Sequence, residues 1–248
     1  EVLAALRRMS AADLQKAELP AGGRIDGTVI TRLPIDAIAE RGRQGVPLIV
    51  GTNRNEGTLF TPPDSPDEDM SRYEKWHEGA AEEVLGDGDP TAYIAWMKDT
   101  YPNAKVVCEE LWTSIFRRAA VEAAEASTLA GPGGWLYRFD LPTTREHEGK
   151  LTGATHACEM AFTFNAFADP DNHVFTYHHR DDATVKELAR HWSDTVLAFA
   201  ASGDPNGGGL PEWTRYGPPD RACMILDAGS RIEDDPDAGQ RAFWESRS

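Results

Sequence analysis

The segment 46–52, VPLIVGT, is continuously apolar, as a β-strand is when both faces of its sheet are covered. A helical pattern carrying Ile35, Ile38 and Ala39 over 34–43 leads into it through Gly45, so the two form an αβ unit. Helical periodicity follows over 73–85 and 91–100, separated by GDGDP, and over 106–129, where Val107, Leu111 and Ile115 fall on one stripe. GPGG breaks the pattern, and WLYRF at 135–139 predicts a second buried strand rich in aromatic residues. The last strong helix is expected over 183–201, with Val185, Leu188, Trp192, Val196 and Phe199 inward and Gly203 as its stop. ACMILD then reads as a hairpin-like strand before a charged tail, and TPPDSPDEDM at 61–70 as an exposed excursion.

Only three or four strands emerge among many amphipathic helices. A doubly wound sheet uses about five or more strands, so this inventory lacks something to pack against. The first residues point the same way. Val2, Leu3 and Leu6 sit at helical spacing with no capping residue before them, whereas Ser10 with Asp13 signals a fresh start. The first helix is expected to begin before residue 1, making 1–248 the C-terminal part of something longer. No repeat, low-complexity tract or strong linker divides the chain.

Charge narrows the partners. With 41 acidic and 25 basic residues the net charge is −16, which repels nucleic-acid phosphates and anionic membrane surfaces. No run approaches the roughly 18 apolar residues that span a bilayer, and no export signal is readable; the compartment is left open, with the cytoplasm favoured. Cys108, Cys158 and Cys223 are an odd, widely spaced set, expected as reduced, buried thiols. His173, His178 and His179 lack the spacing of a metal site, and no metal or cofactor is expected.

Two loops carry the chemistry. Glu56 in GTNRNEGTLF follows the first buried strand, and His156 in THACEMAFTF follows the second after a polar excursion. In open α/β sheets reactive groups gather beyond the carboxyl ends of strands, so the two can converge. A carboxylate and an imidazole are two parts of a nucleophilic triad, yet no G-x-S-x-G turn occurs in the 248 residues.

VPLIVGTNRNEGTLF, GGWLYRFD, THACEMAFTF and FAASGDPN with LPEWTRY, in that order, resemble the C-terminal half of type-B carboxylesterases, the α/β-hydrolase family that includes the cholinesterases. The resemblance runs over nearly the whole chain. It implies the C-terminal portion of an α/β-hydrolase fold over 1–248, with a partial, mostly parallel sheet. It implies Glu56 as the catalytic acid in an N-[KR]-x-E-G pattern and His156 as the general base in an H-x-x-E-[ILM] pattern. Glu159 is then a buried residue behind the pair, and Leu59 and Phe60 line the substrate pocket. Ala157 replaces a glycine usual after the histidine, and Cys158 stands where relatives often carry an aromatic residue, which alters pocket shape. The family's serine elbow and oxyanion loop belong to an N-terminal half that 1–248 does not contain.

The resulting expectation is hydrolysis of a small to medium neutral ester by a Ser-His-Glu triad. This chain gives acid and base, its partner is the missing N-terminal half, and alone it is inactive. The alternatives are a non-catalytic, protein-binding member of the family and a fragment with no activity of its own.

Overall fold

In the computed structural model, residues 2–16, 25–61, 71–86, 88–144, 146, 152–167 and 178–246 are described. They divide into two compact units, Glu1–Ala37 and Ile38–Ser248. The smaller holds α1 (Val2–Leu6) and α2 (Ala11–Lys16), and Ser10 caps α2 by accepting the Asp13 N–H at 3.1 Å while its hydroxyl donates to the Asp13 carboxylate. The apolar residues of α1 are exposed. Most of the 61–70 excursion and His173 lie outside the described residues.

Helix α3 (Pro34–Arg41) leads through a 3-10 turn into the larger unit. Its sheet has four strands in the order β1 (Leu48–Asn53), β2 (Gly134–Phe139), β3 (Ala222–Leu226), β4 (Arg231–Asp234). The first three run parallel, with Asn53 opposite Phe139 and Phe139 opposite Leu226, and β4 pairs antiparallel to β3. Parallel neighbours need crossovers, and the long helix α6 (Ala104–Ala130) lies between β1 and β2 in sequence. Asn103 caps it by accepting the Val106 N–H.

Alternation along β2 and β3 sorts two cores. Trp135, Phe139, Met224 and Leu226 face α8 (Ala183–Ser202) and the short α7 (Met160–Thr163), packing with Trp192, Leu188 and Phe162. Leu136, Cys223 and Ile225 face the other way, onto Ala120, Val121 and Ala124 of α6. The opposite stripe of α6, with Val107 and Leu111, packs against α4 (Ser71–Leu85) and α5 (Pro90–Thr100). Gly203 ends α8 in the left-handed conformation, φ 77°, as its position predicts. Leu48, Ile49 and Val50 are only half-buried, and β1 has no neighbour on its outer edge among the described residues.

The charged tail is a correction. Arg231–Asp234 forms β4, and Ala238–Glu245 forms a ninth described helix, α9. Trp244 and Phe243 anchor it on α5, where the Trp244 indole N–H donates to the Tyr93 hydroxyl at 3.1 Å. Two apolar side chains on one face outweigh the charges around them. All three cysteines are buried.

His178 belongs to the core. It is enclosed by Phe139 and Phe162, its Nε2 lies 3.4 Å from the Leu141 carbonyl, and burial pushes its pKa down to about 4. An unfolded histidine takes a proton near pH 6.5, so between about 6.5 and 4 only the unfolded chain gains it, and stability falls as pH drops. Urea unfolding is expected to lose on the order of 3 kcal/mol across that range from this residue. His178→Phe should flatten the dependence; an unchanged slope would contradict the assignment. His179 is exposed, and among the described residues no group of three or more metal-ligating side chains could hold a metal ion.

Candidate active site

Strand β1 delivers its chain to a 3-10 turn, Glu56–Leu59, seated on α6. Gly57 makes the seat possible. Its N–H donates to Thr113 Oγ1 at 3.0 Å, and a Cβ there would collide with the carbonyl oxygen of Glu109 on α6. The turn is thereby held at the carboxyl end of β1 with Glu56 aimed across the sheet.

The loop bearing His156 is zipped onto this turn. Asn55 and Thr155 form a parallel bridge, the Asn55 N–H donates to the Ala154 carbonyl at 2.9 Å, and the Ala154 N–H donates back to Asn55 Oδ1 at 3.2 Å. Thr58 Oγ1 lies 2.8 Å from the Thr152 carbonyl and 2.9 Å from Thr155 Oγ1. Loops a hundred residues apart thus share one hydrogen-bonded framework, and Glu56 Oε2 meets His156 Nδ1 at 2.7 Å.

The two partners differ in surroundings. Glu56 is 5% exposed, whereas the His156 side chain is 34% exposed. Burial pushes the Glu56 carboxyl above the usual carboxylate range; the Asn53 N–H, which donates to Oε1 at 2.6 Å, and the His156 contact pull it back, while the charge of Glu159 adds to the rise. Where Glu56 is ionised it accepts the Nδ1–H of imidazole, and that tautomer leaves the lone pair on Nε2. Among the described residues Nε2 makes no hydrogen bond, so the pair is a base with a free face.

Aromatic rings flank that base. Phe60 and Phe116 approach the imidazole at centroid distances of 5.2 and 5.0 Å, and Trp112 stands 5.7 Å from Phe60. Phe60 is 42% exposed and Leu59, at the end of the 3-10 turn, is half-buried. Glu159 is half-buried rather than buried, and its Oε2 accepts from the Asn53 side-chain amide at 2.6 Å. Sequence reasoning missed Phe116, Trp112 and Asn55, and took Asn53 only as the first letter of the N-[KR]-x-E-G pattern. The two aromatic residues lie on a helix whose stripe reads simply as core.

Ala157, next to the histidine, adopts φ 63°. Left-handed backbone costs a residue with a Cβ about 1–2 kcal/mol, partly offset by the extra chain entropy of glycine in the unfolded state. Ala157→Gly is therefore expected to raise the urea-unfolding free energy by about 0.5–1 kcal/mol. A loss instead would mean that the buried methyl outweighs the strain.

The sequence profile of the carboxylesterase family matches residues 1–244. This chain belongs to the carboxylesterase family. Para-nitrobenzyl esterase of Bacillus subtilis (strain 168) is 32% identical over 218 residues, covering 88% of this chain and 41% of that protein. Phenmedipham hydrolase of Pseudarthrobacter oxydans is 30% identical over 218 residues, covering 85% and 41%. A solved thermophilic PNB esterase superposes with a TM-score of 0.76 at 27% identity, over 97% of this chain and 49% of that one. The architecture is thus that of carboxylesterase α/β-hydrolases, and the chain spans less than half the length of the curated relatives it matches.

Proposed function

We propose that this chain is the C-terminal part of a carboxylic-ester hydrolase and supplies the acid, Glu56, and the base, His156, of a Ser-His-Glu triad. Its serine and oxyanion donors lie outside residues 1–248. The observation that carries the reading is the 2.7 Å contact between Glu56 and His156 just beyond the carboxyl ends of adjacent parallel strands. Support for the missing portion comes from the absent G-x-S-x-G, the edge of β1 left without a neighbour among the described residues, and relatives more than twice as long.

Each group has one task. A serine hydroxyl placed on Nε2 gives its proton to His156 as its oxygen attacks the ester carbonyl carbon, and the resulting imidazolium is stabilised by ionised Glu56. His156 then passes the proton to the departing alcohol, leaving an acyl-enzyme. Water repeats the cycle: His156 accepts its proton as the hydroxyl adds, and the serine takes that proton back as the acid leaves. At low pH a proton on either Glu56 or His156 stops the cycle, so activity falls on the acid side.

The rings of Phe60, Phe116 and Trp112 beside His156 favour a neutral ester with an apolar or aromatic group, and the B. subtilis relative is named for a para-nitrobenzyl ester. Retention of an intact acid–base pair argues against a purely protein-binding role.

The test is covalent. The protein expressed with the residues encoded before Glu1 is expected to hydrolyse a nitrophenyl ester and to lose that activity to an organophosphate. Peptide mapping should find the label on a serine outside residues 1–248. A label on a serine within this chain, or hydrolysis by residues 1–248 alone above the buffer rate, would contradict the proposal.

A further inference from the structure

Asn53, the last residue of β1, bonds into both loops of the site. Its N–H donates to Glu56 Oε1 at 2.6 Å, and its side-chain amide donates to the Thr155 carbonyl at 2.8 Å and to Glu159 Oε2 at 2.6 Å. Its own carbonyl accepts from the Arg117 guanidinium at 2.9 Å. Arg117 is itself fixed, with Nε on Thr52 Oγ1 at 3.0 Å and Nη1 on the Asp237 carboxylate at 2.9 Å. Asn53 is 1% exposed, so water does not compete for these bonds. Two oxygen acceptors around Nδ2 also settle which way the amide faces, since a flip would set Oδ1 against both.

A residue that served only its own turn would bond only to it. Asn53 instead joins the Glu56 loop to the segment 155–159, which carries His156, while α6 holds its backbone from behind. Resting on the hydrolase reading above, we infer that Asn53 is a positioning residue for that reaction, aiming the Glu56 carboxylate through its backbone and tying it to the His156 loop through its side chain. A misplacement of about 1 Å in such a pair costs on the order of a hundredfold in rate.

The test uses the complete, serine-containing protein and two variants. Asn53→Ala removes the tie and is expected to lower kcat at least about tenfold with KM within about threefold. Asn53→Leu keeps the branched shape but removes the amide donors to the Thr155 carbonyl and the Glu159 carboxylate, so it cuts the same tie without opening a cavity. It is expected to lower kcat by at least about tenfold with KM within about threefold. Lost packing alone would spare the isosteric variant. If Asn53→Ala does not fold, Asn53→Leu decides by itself. A folded variant of either kind with kcat within twofold of wild type overturns the inference. Glu56→Gln is assayed alongside, because wild-type activity in that variant would remove the triad reading itself.

Discussion

Glu56→Gln in the complete protein is expected to lower ester turnover at least about a hundredfold, and a comparable triad lost about ten-thousandfold on such a change. The direction follows from the two bonds of the carboxylate. Oε1 accepts the Asn53 N–H and Oε2 faces His156 Nδ1. A glutamine must keep its oxygen on the Asn53 N–H, because an NH2 there would set donor against donor. The amide nitrogen then faces His156 and needs an acceptor at Nδ1, so the ring proton moves to Nε2. That tautomer cannot take a proton from serine, and no carboxylate remains to stabilise the imidazolium. KM for a nitrophenyl ester should change little, because Glu56 is buried behind the base. Turnover within twofold of wild type would refute the role.

Trp192→Ala is expected to cost about 3–5 kcal/mol of unfolding free energy, read by urea denaturation. Trp192 is 2% exposed in the middle of α8, with its ring 4.8 Å from Tyr137 of β2 and 6.3 Å from Trp213. Its indole N–H donates to Thr163 Oγ1 at 2.9 Å, which ties α8 to α7 and so to the segment that follows His156. Truncation leaves a large cavity against the sheet and cuts the tie to α7, with the Thr163 hydroxyl keeping only its bond to the Glu159 carbonyl. Trp192→Phe keeps most of the ring volume and should cost less than half as much. A loss under about 1 kcal/mol in the alanine variant would show that α8 is not the main cover of this face.

Much of this was legible because burial leaves a mark in sequence. VPLIVG and WLYRF carry the signature of covered strands, and the stripes of α6 and α8 repeat at helical spacing, with Gly203 closing α8. Glu56 and His156 stood out because both follow such strands. What escaped has weaker or non-local signals. RIED in β4 has a single apolar side chain and exposed ends and owes its form to pairing with β3, and α9 has few apolar side chains to reveal it. Phe116 is 40 residues from His156 in sequence, and only the crossover of α6 between β1 and β2 brings the rings together. Asn53 was only the first letter of the N-[KR]-x-E-G pattern until its bonds to Glu56 and to the distant segment 155–159 were in view.

The most direct measurement is a double-mutant cycle on nitrophenyl-ester hydrolysis by the complete protein, comparing Glu56→Gln, His156→Ala and the two together. If Glu56 acts through His156, the double variant will be no slower than His156→Ala alone, because the carboxylate has nothing left to orient. Two losses that multiply would mean that Glu56 and His156 work independently, and the paired acid and base would not be the machinery of this site.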